Sequence, residues 1–293
     1  MELTRAIWAA RRYDRVWIEG ELFPYIPWFL ESLAHGILTS VVVDYDDAVY
    51  LRYSSHPSRI VRLLLGKKFQ KVVGNADLVL VGNQFLKQKA LETVSESKVL
   101  VIPSSINLDR YSSEATAENL GANKRIGWIG TQSTWDKYCD PLRELFIQVA
   151  ERNHAIYTVI GPKIDYQSAN FEAVEWSLKT EVGLLKAFTV GVMPLDDSEW
   201  SLGKCGYKIL QYMGSGVPVV ASGFGANLEI IEHGVNGLLV SDDEGWGDAI
   251  EFLLKNPRAR QKMAARALET VGASYSTAQS FIAMEDALRG PLR

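Results

Sequence analysis

The chain has 293 residues, 47% of them hydrophobic and 23% charged, a balance that suits a globular protein of about two domains with a sizeable core. Its formal net charge of -4 excludes the broad basic face of a general nucleic-acid binder, so no nucleic-acid partner is expected and a bound anion must be met locally. Two cysteines, Cys139 and Cys205, without paired spacing, exclude a disulfide framework and a zinc cage and fit a reducing compartment.

Short β-branched runs, each followed by a longer segment of helical spacing, read as parallel strands joined by crossover helices, an α/β pattern. An opening helix in "ELTRAIWAARR" (2–12) precedes strands expected at "RVWIEG" (15–20), "LTSVVVDY" (38–45), "DLVLVGN" (77–83) and "KVLVIP" (98–103). The first twenty residues lack the apolar core of a signal peptide, and no apolar run reaches the roughly 18 residues of a membrane span. A cytoplasmic protein is therefore expected. The polar stretch "NLDRYSSEATAENLGANK" (107–124) reads as a linker. It divides a first domain, 1–118, from a second, 119–275.

After the linker the rhythm restarts at "RIGWIGT" (125–131), followed by a helix in "CDPLRELFIQVAERN" (139–153) and strands at "IYTVIGP", "AVEWS", "VGVMPL", "VPVVAS" and "NGLLV". Two helices follow, around "GWGDAIEFLLKN" and "PRARQKMAARALETV". A final helical segment, 276–293, is expected to pack back on the first domain. The fold class read here is two Rossmann-like doubly wound domains. The first is incomplete, opening on a helix where such a domain usually opens on a strand.

In open parallel sheets, ligands bind beyond the carboxyl ends of the strands, so four loops are candidates. In "GWIGTQST" (127–134), Gly130 lets an anion approach the backbone, while Thr131, Gln132 and Ser133 lead into a helix start; a plain strand-to-helix turn with an N-cap explains the same residues. In "GKCGYKILQYMGSGVPVVAS" (203–222), Lys204 and Lys208 at i,i+4 share one helix face. Two cations near a positive helix end repel unless an anion sits between them, and the alternative is a pair of snorkelling surface lysines. In "SGFGANLEII" (222–231), backbone N–H groups of Gly225, Ala226 and Asn227 could hold hydroxyls or phosphate, with Glu229 near a helix start; Glu229 could equally just favour the helix dipole. In "VVVDYDDAVY" (41–50), Asp44, Asp46 and Asp47 crowd a strand end, suited to sugar hydroxyls, base chemistry, a metal ion or simple helix capping.

A basic amphipathic segment, "RIVRLLLGKKFQKVV" (59–73), carries Arg59, Arg62, Lys67, Lys68 and Lys71. It reads either as a peripheral contact with the inner membrane face or as a solvated helix face. His35, His56, His154 and His233 are scattered, and no Ser/His/Asp or HExxH arrangement occurs.

The ordered set "DYDDAVY", "LVLVGNQFL", "VLVIPSSINLDRY", "RIGWIGTQST", "VEWS", "VGVMPL", "GKCGYKILQYMGSGVPVVAS" and "NLEIIEHGVNGLLV" resembles the nucleotide-sugar-dependent glycosyltransferases of the GT-B fold, in the retaining family glycosyl transferases group 1. The resemblance implies a UDP- or GDP-linked donor on the second domain and a glycan or lipid-linked acceptor mainly on the first, with no metal or other cofactor. It implies that the diphosphate lies against Gly130–Ser133 and the lysine helix, the base near Trp176 and Ser177, and that Lys204 and Lys208 stabilise the leaving group. The family's Glu-x7-Glu pair falls here on Gly203 and Gln211. Gln211 can still hydrogen-bond a ribose, whereas Gly203 has no side chain, which leaves sugar recognition to Glu199 or Glu229. The family's opening strand and glycine-rich loop have no counterpart, so a partner or a second copy is expected to cover a sheet edge. A catalytically weak nucleotide-binding relative and a nucleotide-sugar epimerase of the same fold are the competing functions.

Overall fold

Parallel strands covered on both faces must be apolar on both faces, and strands form at the valine- and isoleucine-rich runs of the sequence. The computed structural model describes residues 8–112 and 123–289. Within them β1 (Val16–Glu19), β2 (Val41–Tyr45), β3 (Leu78–Val81) and β4 (Val99–Val101) make one parallel sheet in that order. A second parallel sheet has the order β10-β9-β8-β5-β6-β7, from β5 (Lys124–Ile129), β6 (Ala155–Ile160), β7 (Phe171–Val174), β8 (Val190–Met193), β9 (Val219–Ser222) and β10 (Leu238–Val240). The chain is thus α/β with two parallel sheets. The expected strand at "AVEWS" lies earlier than read, so Trp176 and Ser177 sit in the loop beyond β7. Of the opening helix, residues 8–10 are helical; in the expected linker a helix forms at Leu108–Ser112, residues 113–122 lie outside the described residues, and Lys124 already belongs to β5.

Two compact units result. The first takes the chain up to Ser104, the segment Ser198–Cys205 and the chain from Ile282; the second takes Ser105–Asp197 and Gly206–Phe281. The first unit therefore claims Ser198–Cys205, which the sequence reading gave to the second domain. Among the described residues no helix is long and apolar enough to cross a membrane.

The second unit is doubly wound. One face of its sheet packs Phe146, Val149, Ile250 and Leu254, from the helices Arg143–Arg152 and Glu244–Lys255. The other packs Leu185, Leu210, Tyr212 and Val271, from the helices Glu181–Lys186, Tyr207–Gly214 and Pro257–Ser274. The strand order reverses between β5 and β8, where the ladder is brief: Ile126 pairs with Val190 and Gly127 with Gly191. Gly130 N–H donates to Ile160 O and Gly191 N–H to Pro218 O, so by strand alternation Ile129 N–H and Val192 C=O face the gap between β5 and β8. Tyr212 fills it. Its fully buried hydroxyl accepts from Ile129 N–H at 3.2 Å and donates to Val192 O at 3.3 Å.

The first unit is built around a buried cation. Lys68 is 2% exposed; its Nζ lies 2.5 Å from Glu21 Oε2 and 2.8 Å from Glu31 Oε2, and donates to Phe23 O. This corrects the reading of Lys68 as one of the surface cations of the basic segment 59–73. Two helices form, Arg59–Leu65 and Lys68–Gly74, parted at Gly66. Lys68 belongs to the interior because two carboxylates hold it there, one of them fully buried, and an unpaired charge at that depth would be far costlier.

Two outcomes are expected. In Tyr212→Phe, Ile129 N–H and Val192 C=O lose this shared partner, and urea denaturation should report a loss of about 1–3 kcal/mol. Burial works to raise the Glu31 carboxyl, but His35, Lys68 and the Leu22 N–H together hold it below its ordinary value of 4.5. A lowered folded value contributes stability above the unfolded one, and that stability is lost as the pH falls through the folded value. The urea midpoint should therefore drop on acidification below 4.5, and drop less in Glu31→Gln.

Candidate functional site

The crevice of the second unit opens where β5 and β8 part. Gly130 follows β5, and a Cβ there would lie 2.4 Å from the Trp128 ring and 2.9 Å from Lys208 Cε. Gly161, at the end of β6 with φ +112, faces it so closely that its Cβ would sit 2.2 Å from Gly130 O. Two strand ends therefore meet backbone to backbone, leaving peptide groups uncovered by side chains. Gly161 was not singled out from the sequence, where "IGP" looked like an ordinary strand end. Thr131 caps the next turn in a box with Thr134, and its hydroxyl lies 3.2 Å from that of Ser133. The Gln132 amide donates to Asp136 at 2.9 Å and accepts from Lys163 N–H at 3.1 Å, so it ties the loop ends of β5 and β6 together.

Lys208 reaches this floor from the helix Tyr207–Gly214, its Nζ 5.6 Å from the Trp128 ring centroid. Gly206, at φ +68, is the helix N-cap. The sequence expectation of two lysines on one helix face is thereby corrected: the left-handed Gly206 turn keeps Lys204 out of the helix, and Lys204 belongs to the first unit. Beyond β7, the half-exposed Trp176 donates its indole N–H to Glu181 at 2.7 Å. Ser177 caps the following turn, its Oγ accepting from Thr180 N–H. Glu181 is in turn paired with Arg110 at 2.9 Å. Gln211 is only 5% exposed.

Gly225, at φ +51, starts the helix Ala226–Ile230. Asn227 differs from its expected role, because its N–H donates to Phe224 O and its side-chain amide to Ser222 O at 2.9 Å. It holds the loop from inside. Ala226 is buried and Glu229 exposed at its surface. Ser222 Oγ accepts from Leu195 N–H and donates to Leu195 O, which clips the loop after β8 to the end of β9.

In the first unit, Asp46 is exposed and Asp47 lies 3.5 Å from Lys204. Burial, with Asp46 and Glu19 close by, pushes the Asp44 carboxyl up to about 6. Asn83, fully buried, receives Leu86 N–H and donates to Leu202 O and Lys204 O at 3.1 and 3.0 Å. Cys205 Sγ donates to Asp46 O. The segment Ser198–Cys205 is thus fastened against the ends of β2 and β3, and Asn83 is a positioning residue whose only sequence signal was the asparagine ending "LVLVGN". Gly203 has a packing reason here, since a Cβ would lie 2.5 Å from Ala48 Cβ and 2.8 Å from Ala48 N. The Glu199 carboxylate accepts from Tyr50 at 3.0 Å and pairs with Lys89 at 3.1 Å. Among the described residues no group of three His, Cys, Asp or Glu side chains is placed to hold a metal.

Residues 123–256 match the family model described as Glycosyl transferases group 1. The match covers a little under half of the chain. Solved structures share the fold of this chain over nearly its whole length. HepE from Anabaena in complex with UDP matches at a TM-score of 0.75 and 16% identity, over 99% of this chain and 82% of that one. Sucrose-phosphate synthase from Thermosynechococcus elongatus matches at 0.74 and 17%, over 98% and 76%. WaaG, a glycosyltransferase involved in lipopolysaccharide biosynthesis, matches at 0.68 and 12%, over 99% and 95%. These likenesses show the GT-B fold. No curated protein sequence matches the chain.

Because Gly203 sits against Ala48 backbone and side chain, Gly203→Ala should cost the protein about 1–3 kcal/mol by overpacking. Chemical denaturation reads this directly, and an unchanged midpoint would make the position available for a side chain.

Proposed function

We propose that the protein transfers a sugar from a UDP- or GDP-linked donor to a glycan or lipid-linked acceptor, with retention of configuration, in the cytoplasm. The observation that carries the reading is the bare peptide floor at Gly130 and Gly161 with Lys208 beside it. A diphosphate needs close backbone approach, N–H donors and a cation, and this corner of the second unit supplies all three types of group. Thr131 and Ser133 add hydroxyls at its edge. HepE is a structure of the same fold solved with UDP and with UDP-glucose, which supports a uridine diphosphate as the first ligand to test.

In this reading the donor base lies on the exposed part of Trp176, whose ring is fixed by Glu181, with the ribose near Ser177. As the glycosidic bond breaks, negative charge grows on the leaving diphosphate, and Lys208 with the backbone N–H groups of Gln132 and Ser133 at the start of the next turn stabilises it without a metal ion. Asp46, Asp47 and Lys204 of the first unit are assigned to the acceptor side. The exposed Asp46, the half-buried Asp47 and the adjoining cation suit sugar hydroxyls.

Lys208→Ala should weaken UDP binding by about 1–3 kcal/mol, the scale of one hydrogen bond to a charged group. Titration calorimetry of the full chain with UDP, GDP and their glucose conjugates measures it. No binding of any of them would sink the reading, and unchanged affinity in the variant would remove Lys208 from it.

A further inference from the structure

We propose that the helix Arg59–Leu65 is a docking surface for an anionic lipid bilayer. The helix carries Ile60, Leu63 and Leu64 at i, i+3 and i+4, the spacing by which a helix normally meets a protein core. Here that stripe faces solvent instead: Ile60 is 69% exposed, Leu63 85% and Leu64 55%. Only Leu65 of this helix is buried. Large apolar side chains concentrated in this way mark an interaction site rather than ordinary surface scatter.

The charge around the stripe selects the occupant. No aspartate or glutamate occurs between Asp47 and Asp77, whereas Arg52, Arg59, Arg62, Lys67, Lys68 and Lys71 do. Lys68 is neutralised inside the unit by Glu21 and Glu31, and the other five are exposed. Against a formal net charge of -4 for the whole chain, this is a local excess of cation. An apolar stripe with a basic rim fits an anionic lipid surface, where leucine and isoleucine enter the acyl boundary and the cations meet headgroups. A second copy of the chain fits worse. A two-fold contact through this helix would set its arginines near their own copies, and like charges across an interface are unfavourable.

The inference stands apart from the sugar-transfer reading, because the test needs no donor. The full chain is sedimented with vesicles of phosphatidylcholine alone and of phosphatidylcholine and phosphatidylglycerol in equal parts. Binding is expected to the mixed vesicles and to weaken with added salt. It should fall about tenfold in Ile60→Gln/Leu63→Gln and again about tenfold in Arg59→Gln/Lys67→Gln, since apolar insertion and electrostatic attraction each contribute. All four side chains are exposed, so both variants are expected to keep the parental melting temperature. Absence of binding, equal binding to neutral vesicles, or full binding by both variants would overturn the proposal. So would a halving of the solution mass in Ile60→Gln/Leu63→Gln with vesicle binding unchanged, which would give the face to a second copy.

Discussion

The hydroxyl of Tyr212 is the contact on which the candidate donor site depends. Where a parallel sheet reverses its order, the two central strands must part, and parting strands leave peptide groups that no neighbouring strand can reach. Tyr212 reaches both Ile129 N–H and Val192 O from a helix packed on the sheet. The gap is thereby kept open as a crevice without leaving either group buried and unsatisfied. Because the same hydroxyl fixes the rotation of the helix Tyr207–Gly214, it also fixes where Lys208, one turn earlier on that helix, points. The lysine stem then lies against Trp128 and Gly130 with little freedom left to lose on meeting an anion.

Gly206 sets the other boundary of this device. By adopting φ +68 it starts the helix at Tyr207, so the first-turn N–H groups and Lys208 act from one end while Lys204 turns to Asp47. Periodicity alone cannot distinguish an i,i+4 pair on a helix from two residues separated by a left-handed turn. A glycine between them was the only warning in the sequence. Gly203 likewise looked like a missing carboxylate when set beside the family pattern. Its close approach to Ala48 gives it a positive role, and that role comes from a contact with a residue far away in the chain.

The strands were legible because burial on both faces forces apolar β-branched runs, a local property of sequence. The fates of charged residues were not, because they depend on partners distant in sequence. Lys68 sits among exposed cations in "GKKFQKVV" and differs from its neighbours only through Glu21 and Glu31. Its burial also explains the helix Trp28–His35, whose buried residues are Glu31, Ala34 and His35 while Phe29 and Leu33 are 65% and 70% exposed. An amphipathic helix is normally oriented by its apolar stripe. Here the Glu31 side of the helix is turned inward instead, toward Lys68 and the Leu22 N–H.

The magnitudes on the two sides of that reversal are close. Exposing two large apolar side chains forfeits about 1.5–3 kcal/mol each, whereas a carboxylate left unpaired beside a buried lysine's vacated site, or the lysine left without its carboxylate, costs about 3–5 kcal/mol. The two totals are comparable, so the ion pair alone does not decide the orientation. The rest comes from what accompanies it: Glu31 also accepts Leu22 N–H at 2.8 Å, and His35 packs edge-on against Trp28 at 4.9 Å. A charged group thus governs a helix when its oxygens are also needed by the backbone. The same principle operates at Asn83, where one buried side chain serves three backbone groups and sets the path of the segment Ser198–Cys205.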